Sequence, residues 1–121
     1  MIQRIYGIAS KLYRFVKPVR SAHYLSFVRS YPCVGCTTIR KRRDAAHTGP
    51  HGISQKSCDL TAIPLCRECH QQLHRIGRVR FEMLHNVEFQ EIIDMLQQFY
   101  AITYGRLPGE DSARAVNRRA V

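Results

Sequence analysis

The 121 residues predict a small α+β domain: two strands and a helix stapled by a four-cysteine zinc site, with α-helices flanking them on the N- and C-terminal sides. Three observations predict it. Apolar residues recur at helical spacing near both ends of the chain. A strand, a long loop, a strand and a helix can be laid out over residues 44–77. Four of the five cysteines fall into two pairs, Cys33-x2-Cys36 and Cys66-x2-Cys69.

Taken in order, Ile5, Ile8, Leu12 and Phe15/Val16 give residues 2–16 a helical apolar period with Lys11 and Arg14 among its polar positions, and Pro18 ends it. Ser21 is a suitable N-cap for a short helix through Leu25 and Val28 to Arg29, closed off before Pro32. Thr37 to Ile39 offers strand-forming residues, followed by the basic run Arg40 to Arg43, and Asp44 to His47 is the next extended piece. Gly49, Pro50, Gly52 and Ser54 mark residues 48–58 as a loop. Leu60 to Leu65 suits a buried strand. Cys66 to Arg75 has no helix breaker before Gly77, which fits a C-cap. Asn86 reads as the N-cap of a last helix to about Tyr104, with Phe89, Ile92, Ile93, Leu96 and Phe99/Tyr100 on its apolar face. From Gly105 the apolar period is lost. The expected organisation is therefore a basic N-terminal helix or arm over residues 1–22, a zinc-containing domain over 23–104 and a tail over 105–121.

Charge is distributed unevenly. The chain has 19 Lys+Arg against 9 Asp+Glu, a net +10, yet residues 1–43 hold ten of the bases and no acid, while the remainder carries nine of each. Such a third argues for a polyanionic partner, most simply nucleic acid, with an anionic membrane surface as the alternative. No apolar run reaches the roughly 20 residues of a membrane-spanning helix, and the stretch after Arg4 is too short for a secretory signal, so a reducing, cytoplasmic setting is expected; an organellar transit peptide is the minor alternative.

In a reducing setting the paired cysteines favour a metal over disulfides. Four thiolates make a closed tetrahedral zinc site, structural because no position is left for water. The 29 residues between Cys36 and Cys66 exceed the spacing of common zinc ribbons. Cys58 is left over as a loop or core thiol. On the helix that follows, His70 and His74 are four apart, so their rings share one face and can hold a single ion. His47, Asp44 and Asp59 come near them if the strands fold back as a hairpin onto this helix.

Read together, a Cys-x2-Cys, Ala46-His47-Thr48, Lys56-x2-Asp59-Leu60, Ile63-Pro64-Leu65-Cys66-x2-Cys69-His70 and a further His at 74 resemble the HNH endonucleases, the ββα-metal or His-Me finger nucleases. The likeness is greatest to the phage and prophage branch that includes the Ref-type recombinase-dependent nucleases. It covers a little under half of the chain. The resemblance implies that His47 is the general base and that His70 and His74 hold a catalytic Mg²⁺ or Mn²⁺. Asp59 would stand near the family's middle Asn and brace the base, although it lies two residues further from Cys66 than in the commonest pattern. Ala46 departs from the Asp or His that many relatives carry before the base, which leaves Asp44, His51 or water to complete the ion's ligands. A recombinase filament is an implied partner.

The chemistry fits these residue types. A neutral histidine can take a proton from water, and a hard divalent ion stabilises the charge of a pentacovalent phosphate. Arg40, Lys41, Arg42, Arg43, Lys56, Arg75, Lys11 and Arg14 are candidate phosphate contacts. No helix carries Asn, Gln or Arg at base-reading spacing, so low sequence specificity is expected. A zinc-stabilised nucleic-acid-binding module without catalysis is the competing expectation, favoured by Ala46.

Overall fold

In the computed structural model of the chain, residues 18–49 and 58–109 are described. Helix α1 (Ala22–Arg29) leads to β1 (Arg43–His47), a single 3-10 turn (Asp59–Thr61) and β2 (Ala62–Cys66); α2 (Arg67–Ile76), α3 (Arg78–His85) and α4 (Phe89–Tyr104) follow. The expected helix over residues 2–16 lies outside the described residues, as do Lys11, Arg14, His51 and Lys56.

Helix α1 starts where its cap predicts. Ser21 is extended and its hydroxyl accepts the Tyr24 N–H, and Tyr24 and Val28 supply the buried face. Beyond α1 the expected strand at Thr37 to Ile39 does not form. The chain turns back on itself instead: Thr37 N–H donates to the Cys33 carbonyl, Cys33 N–H to that of Thr38, and Thr37 sits at φ 60°. Tertiary demand overrides β-propensity here, because this turn must bring both cysteines of the first pair to one side. The turn is fastened to β2 by the Val34 N–H on the Pro64 carbonyl at 2.9 Å.

The two strands are antiparallel, with Asp44 opposite Leu65, Ala46 opposite Ile63 and His47 opposite Ala62. Leu60, expected in the second strand, lies in the 3-10 turn, where Thr61 donates both its N–H and its hydroxyl to the Cys58 carbonyl. Alternation along a strand sends neighbouring side chains to opposite faces. Ala46, Ile63 and Leu65 accordingly join a core with Phe81, Phe89 and Ile93, whereas Ala45 and Ala62 face a second cluster with Tyr24, Val28, Leu96 and Tyr100.

Helix α2 ends at Gly77, at φ 85°, as its sequence predicts. Helix α3 was not expected. Asn86 is its C-cap, left-handed at φ 52°, rather than the N-cap of the last helix. Asparagine suits both positions, and here it lets the chain reverse so that Phe81 and Phe89 both reach the core. With Asn86 used in this way, α4 begins two residues later than expected and gets its first-turn acceptor from α3: the Glu82 carboxylate accepts the Phe89 N–H at 2.8 Å. Its buried side is Phe89, Ile93, Leu96 and Tyr100. Leu107, beyond α4 in the expected tail, packs with Val19 against the second cluster.

Candidate functional site

The two cysteine pairs meet because the hairpin sets Arg43 opposite Cys66, drawing the turn that carries Cys33 and Cys36 to the start of α2. Their four Sγ atoms lie within 4.8 Å of one another, and Cys36 and Cys66 are 3.7 Å apart. Sulfurs placed ~2.3 Å from a shared zinc ion in a tetrahedron sit ~3.8 Å apart. The spacing therefore fits a metal such as zinc, and it is too long for a disulfide. Burial raises the thiols of Cys66 and Cys69, while at Cys33 burial is outweighed by backbone hydrogen bonds to Cys66, Cys36 and Gly35, which bring it down to about 7. Gly35 is needed for this closeness: a Cβ there would stand 2.8 Å from the Cys69 sulfur and 3.0 Å from the Phe81 ring. Cys58 is buried in the second cluster, away from this set.

Of the chemistry-bearing residues named from sequence, His47 and Asp59 form one pair. The His47 Nε2 lies 2.7 Å from Asp59 Oδ1. Asp59 is 4% exposed; its Oδ2 accepts the Ser21 N–H at 2.8 Å, and the Arg20 guanidinium lies 3.6 Å from Oδ1, the oxygen that also faces His47. His47 itself remains partly exposed. The carboxylate thus joins the N-cap of α1 to the last residue of β1, which sequence reading did not anticipate. Ser21 was legible as a cap and Asp59 as a brace, but nothing in their spacing links residues 38 apart.

Asp44 and His70 form a second pair, with Nδ1 and Oδ2 3.1 Å apart, and the His74 ring lies 4.8 Å from that of His70. These residues sit where β1 meets α2. Strand alternation puts Asp44 with Ala46 on one face of the hairpin and His47 on the other. Among the described residues, the four cysteines are the set of three or more His, Cys, Asp or Glu whose ligand atoms converge. The hairpin therefore brings Asp44 to His70 as expected, but His47 and Asp59 form a separate pair and do not converge with His70 and His74 on one set of ligand atoms.

The basic run divides as well. Arg40, Lys41 and Arg42 are exposed, as is Arg75 on α2, with Lys41 3.6 Å from Glu68. Arg43 is turned inward. Its Nε donates to the carbonyls of Arg29 and Tyr31 and its Nη1 to those of Ile39 and Lys41, at 2.7 to 3.2 Å, so this side chain fastens the end of α1 to the cysteine turn.

Fold and site together define a small α+β domain with four clustered cysteines able to hold a metal such as zinc. The chain belongs to the family described as "Protein of unknown function (DUF968)", whose profile matches residues 14–105. No curated protein and no solved structure matches it. No helix among the described residues is long and apolar enough to cross a membrane.

Proposed function

We propose that the protein is a metal-dependent endonuclease of the HNH type, hydrolysing DNA phosphodiester bonds with little regard to sequence. The observation that carries this reading is the pairing of a partly exposed His47 with a buried carboxylate at the end of a strand. An ionised Asp59 accepts the Nε2–H of His47, and that tautomer leaves the Nδ1 lone pair to take a proton from an attacking water. Asp59 in turn is fixed by Ser21 and Arg20, so the ring is held in one orientation. The order of two antiparallel strands, Arg43–His47 and Ala62–Cys66, followed by the helix Arg67–Ile76 supports this reading. His70 and His74, with Asp44 against His70, would hold a Mg²⁺ or Mn²⁺ ion, which when bound supplies charge stabilisation at a phosphate oxygen. The four cysteines would hold zinc and keep the hairpin on α2. Exposed Arg40, Lys41, Arg42 and Arg75 would neutralise phosphates, which gives salt-dependent, sequence-independent grip.

Purified protein is expected to nick plasmid DNA with Mg²⁺ or Mn²⁺ and to stop when EDTA is added. His47→Ala is expected to abolish nicking while DNA binding persists, and undiminished nicking by that variant would remove His47 from the role of base.

A second reading, a zinc-stabilised nucleic-acid-binding module, is favoured by one observation: Asp44 and His47 occupy opposite faces of the hairpin. Metal stoichiometry measured beside activity separates the two. One tightly held zinc with no cleavage under any divalent ion supports the module; zinc plus a weaker, exchangeable ion with cleavage supports the nuclease.

A further inference from the structure

Charge is polarised along the described part of the chain. Residues 18–43 hold six Lys or Arg and no acid, whereas residues 81–105, the end of α3 and all of α4, hold four acids and no Lys or Arg. The acidic end carries a groove of about 660 Å³ between α3 and the start of α4. Val79 and Met83, 71% and 77% exposed, line it together with Val87 and Ile92, which are half-buried against the core. Glu88 and Glu91 rim it, and neither is in an ion pair among the described residues. A rim of this sign repels a nucleic acid. What it fits is an apolar group flanked by cations.

The basic end of the same chain displays such a group. Ile39 is 69% exposed and stands beside the exposed Arg40, Lys41 and Arg42. This bend is held in shape from behind: Arg43 Nη1 donates to the Ile39 carbonyl at 2.8 Å and to the Lys41 carbonyl at 2.7 Å, and the Arg40 N–H donates to the Thr38 hydroxyl at 3.3 Å. A segment already pinned in this way loses little freedom when it docks. Within one copy Lys41 meets Glu68 at 3.6 Å, a pair exposed on both sides, so it opposes docking only weakly.

We propose that the bend over residues 39–42 of one copy docks in the α3–α4 groove of another, with Ile39 on Val79 and Met83 and the three cations against Glu88 and Glu91. Because the complementary surface is on the chain itself, a second copy is the occupant rather than a basic segment of a foreign protein. The two halves of the contact lie on different elements, so the arrangement is head-to-tail. A docked pair still presents a bend at one end and a groove at the other, and further copies can add in a row. Fewer than the roughly 20 residues a side of a stable interface take part, so the contact is of the transient class and gains from high local concentration. It does not depend on whether the domain cuts DNA.

Sedimentation velocity on the full chain, freed of nucleic acid, tests it from about 10 µM to about 1 mM in roughly 50 mM salt. The average mass is expected to rise at least about 1.5-fold over that range and to return to that of the monomer in roughly 0.5 M salt. Ile39→Asp and Met83→Asp replace exposed side chains, so each should keep its fold by circular dichroism and its zinc content, and each should stay monomeric alone. Mixed together they retain one intact groove and one intact bend per pair, and should form dimers that add no further copy. A wild type that is monomeric over the whole range, association that survives either substitution, or a mixture that stays monomeric would each overturn the proposal.

Discussion

The two faces of the β-hairpin are secured in different ways. On the α2 side, four sulfurs and the aromatic core of Phe81 and Phe89 close around the strand ends. On the α1 side a single buried carboxylate, Asp59, holds a backbone amide, a guanidinium and an imidazole. A four-thiolate site leaves its metal no open position and so contributes only structure. A carboxylate shared with a partly exposed imidazole leaves one ring nitrogen for chemistry. The difference separates a set that can staple the hairpin from a histidine that stays open to proton chemistry.

The largest effect should come from breaking the sulfur side. Stripping metal with a strong chelator, or replacing Cys66 by Ser, is expected to abolish the cooperative unfolding transition followed by circular dichroism, because binding of a structural metal is folding free energy. A Cys66→Ser protein that keeps both its zinc and its melting temperature would show that the cluster is not a staple.

Next in size is the carboxylate side. Asp59→Ala leaves the Ser21 N–H and His47 without their acceptor and should lower stability by about 2 to 3 kcal/mol in urea titrations, with zinc content unchanged. Loss of zinc in this variant would mean that the two faces are not independent.

Acid should weaken the sulfur side. Zinc takes thiolates, and the metal-free chain, which lacks the folded site, holds protons on its cysteines below their ordinary range at about 8.5. Zinc affinity therefore falls as pH is lowered from about 9, because those protons must leave on binding. Competition titrations with a zinc indicator across pH 6 to 9 read this directly; affinity independent of pH would contradict the thiolate assignment.

The smallest effect concerns the cluster behind Asp59. The Tyr24 hydroxyl is fully buried and has no hydrogen-bond partner among the described residues. Burial also pushes its ionisation well above the ordinary tyrosine range. Tyr24→Phe removes that unpaired group while keeping the ring that packs against Tyr100, and it should stabilise the protein by about 1 kcal/mol.

Much of this was legible in the sequence where a residue type has one dominant use. Ser21 as a cap, Gly77 as a stop and the paired cysteines each behaved as their chemistry dictates. Asn86 misled because asparagine serves equally at the start and the end of a helix, and α3 has only Phe81 fully buried, too little for an apolar period to show. Arg43 was indistinguishable from its three basic neighbours, since the carbonyls that claim it are gathered only by tertiary structure. The separation of Asp44 from His47 was available all along: an odd spacing within a strand places two side chains on opposite faces.

The proposed role of His47 as general base, separate from the cysteine set that can hold the hairpin on α2, is tested most directly by one sample of His47→Ala. Zinc content, melting temperature and Mg²⁺-dependent plasmid nicking are measured on the same preparation beside the wild type. Full zinc, a melting temperature within a few degrees of the wild type and nicking reduced at least about a hundredfold are expected. Nicking at the wild-type rate would contradict it, and so would a variant that loses its zinc.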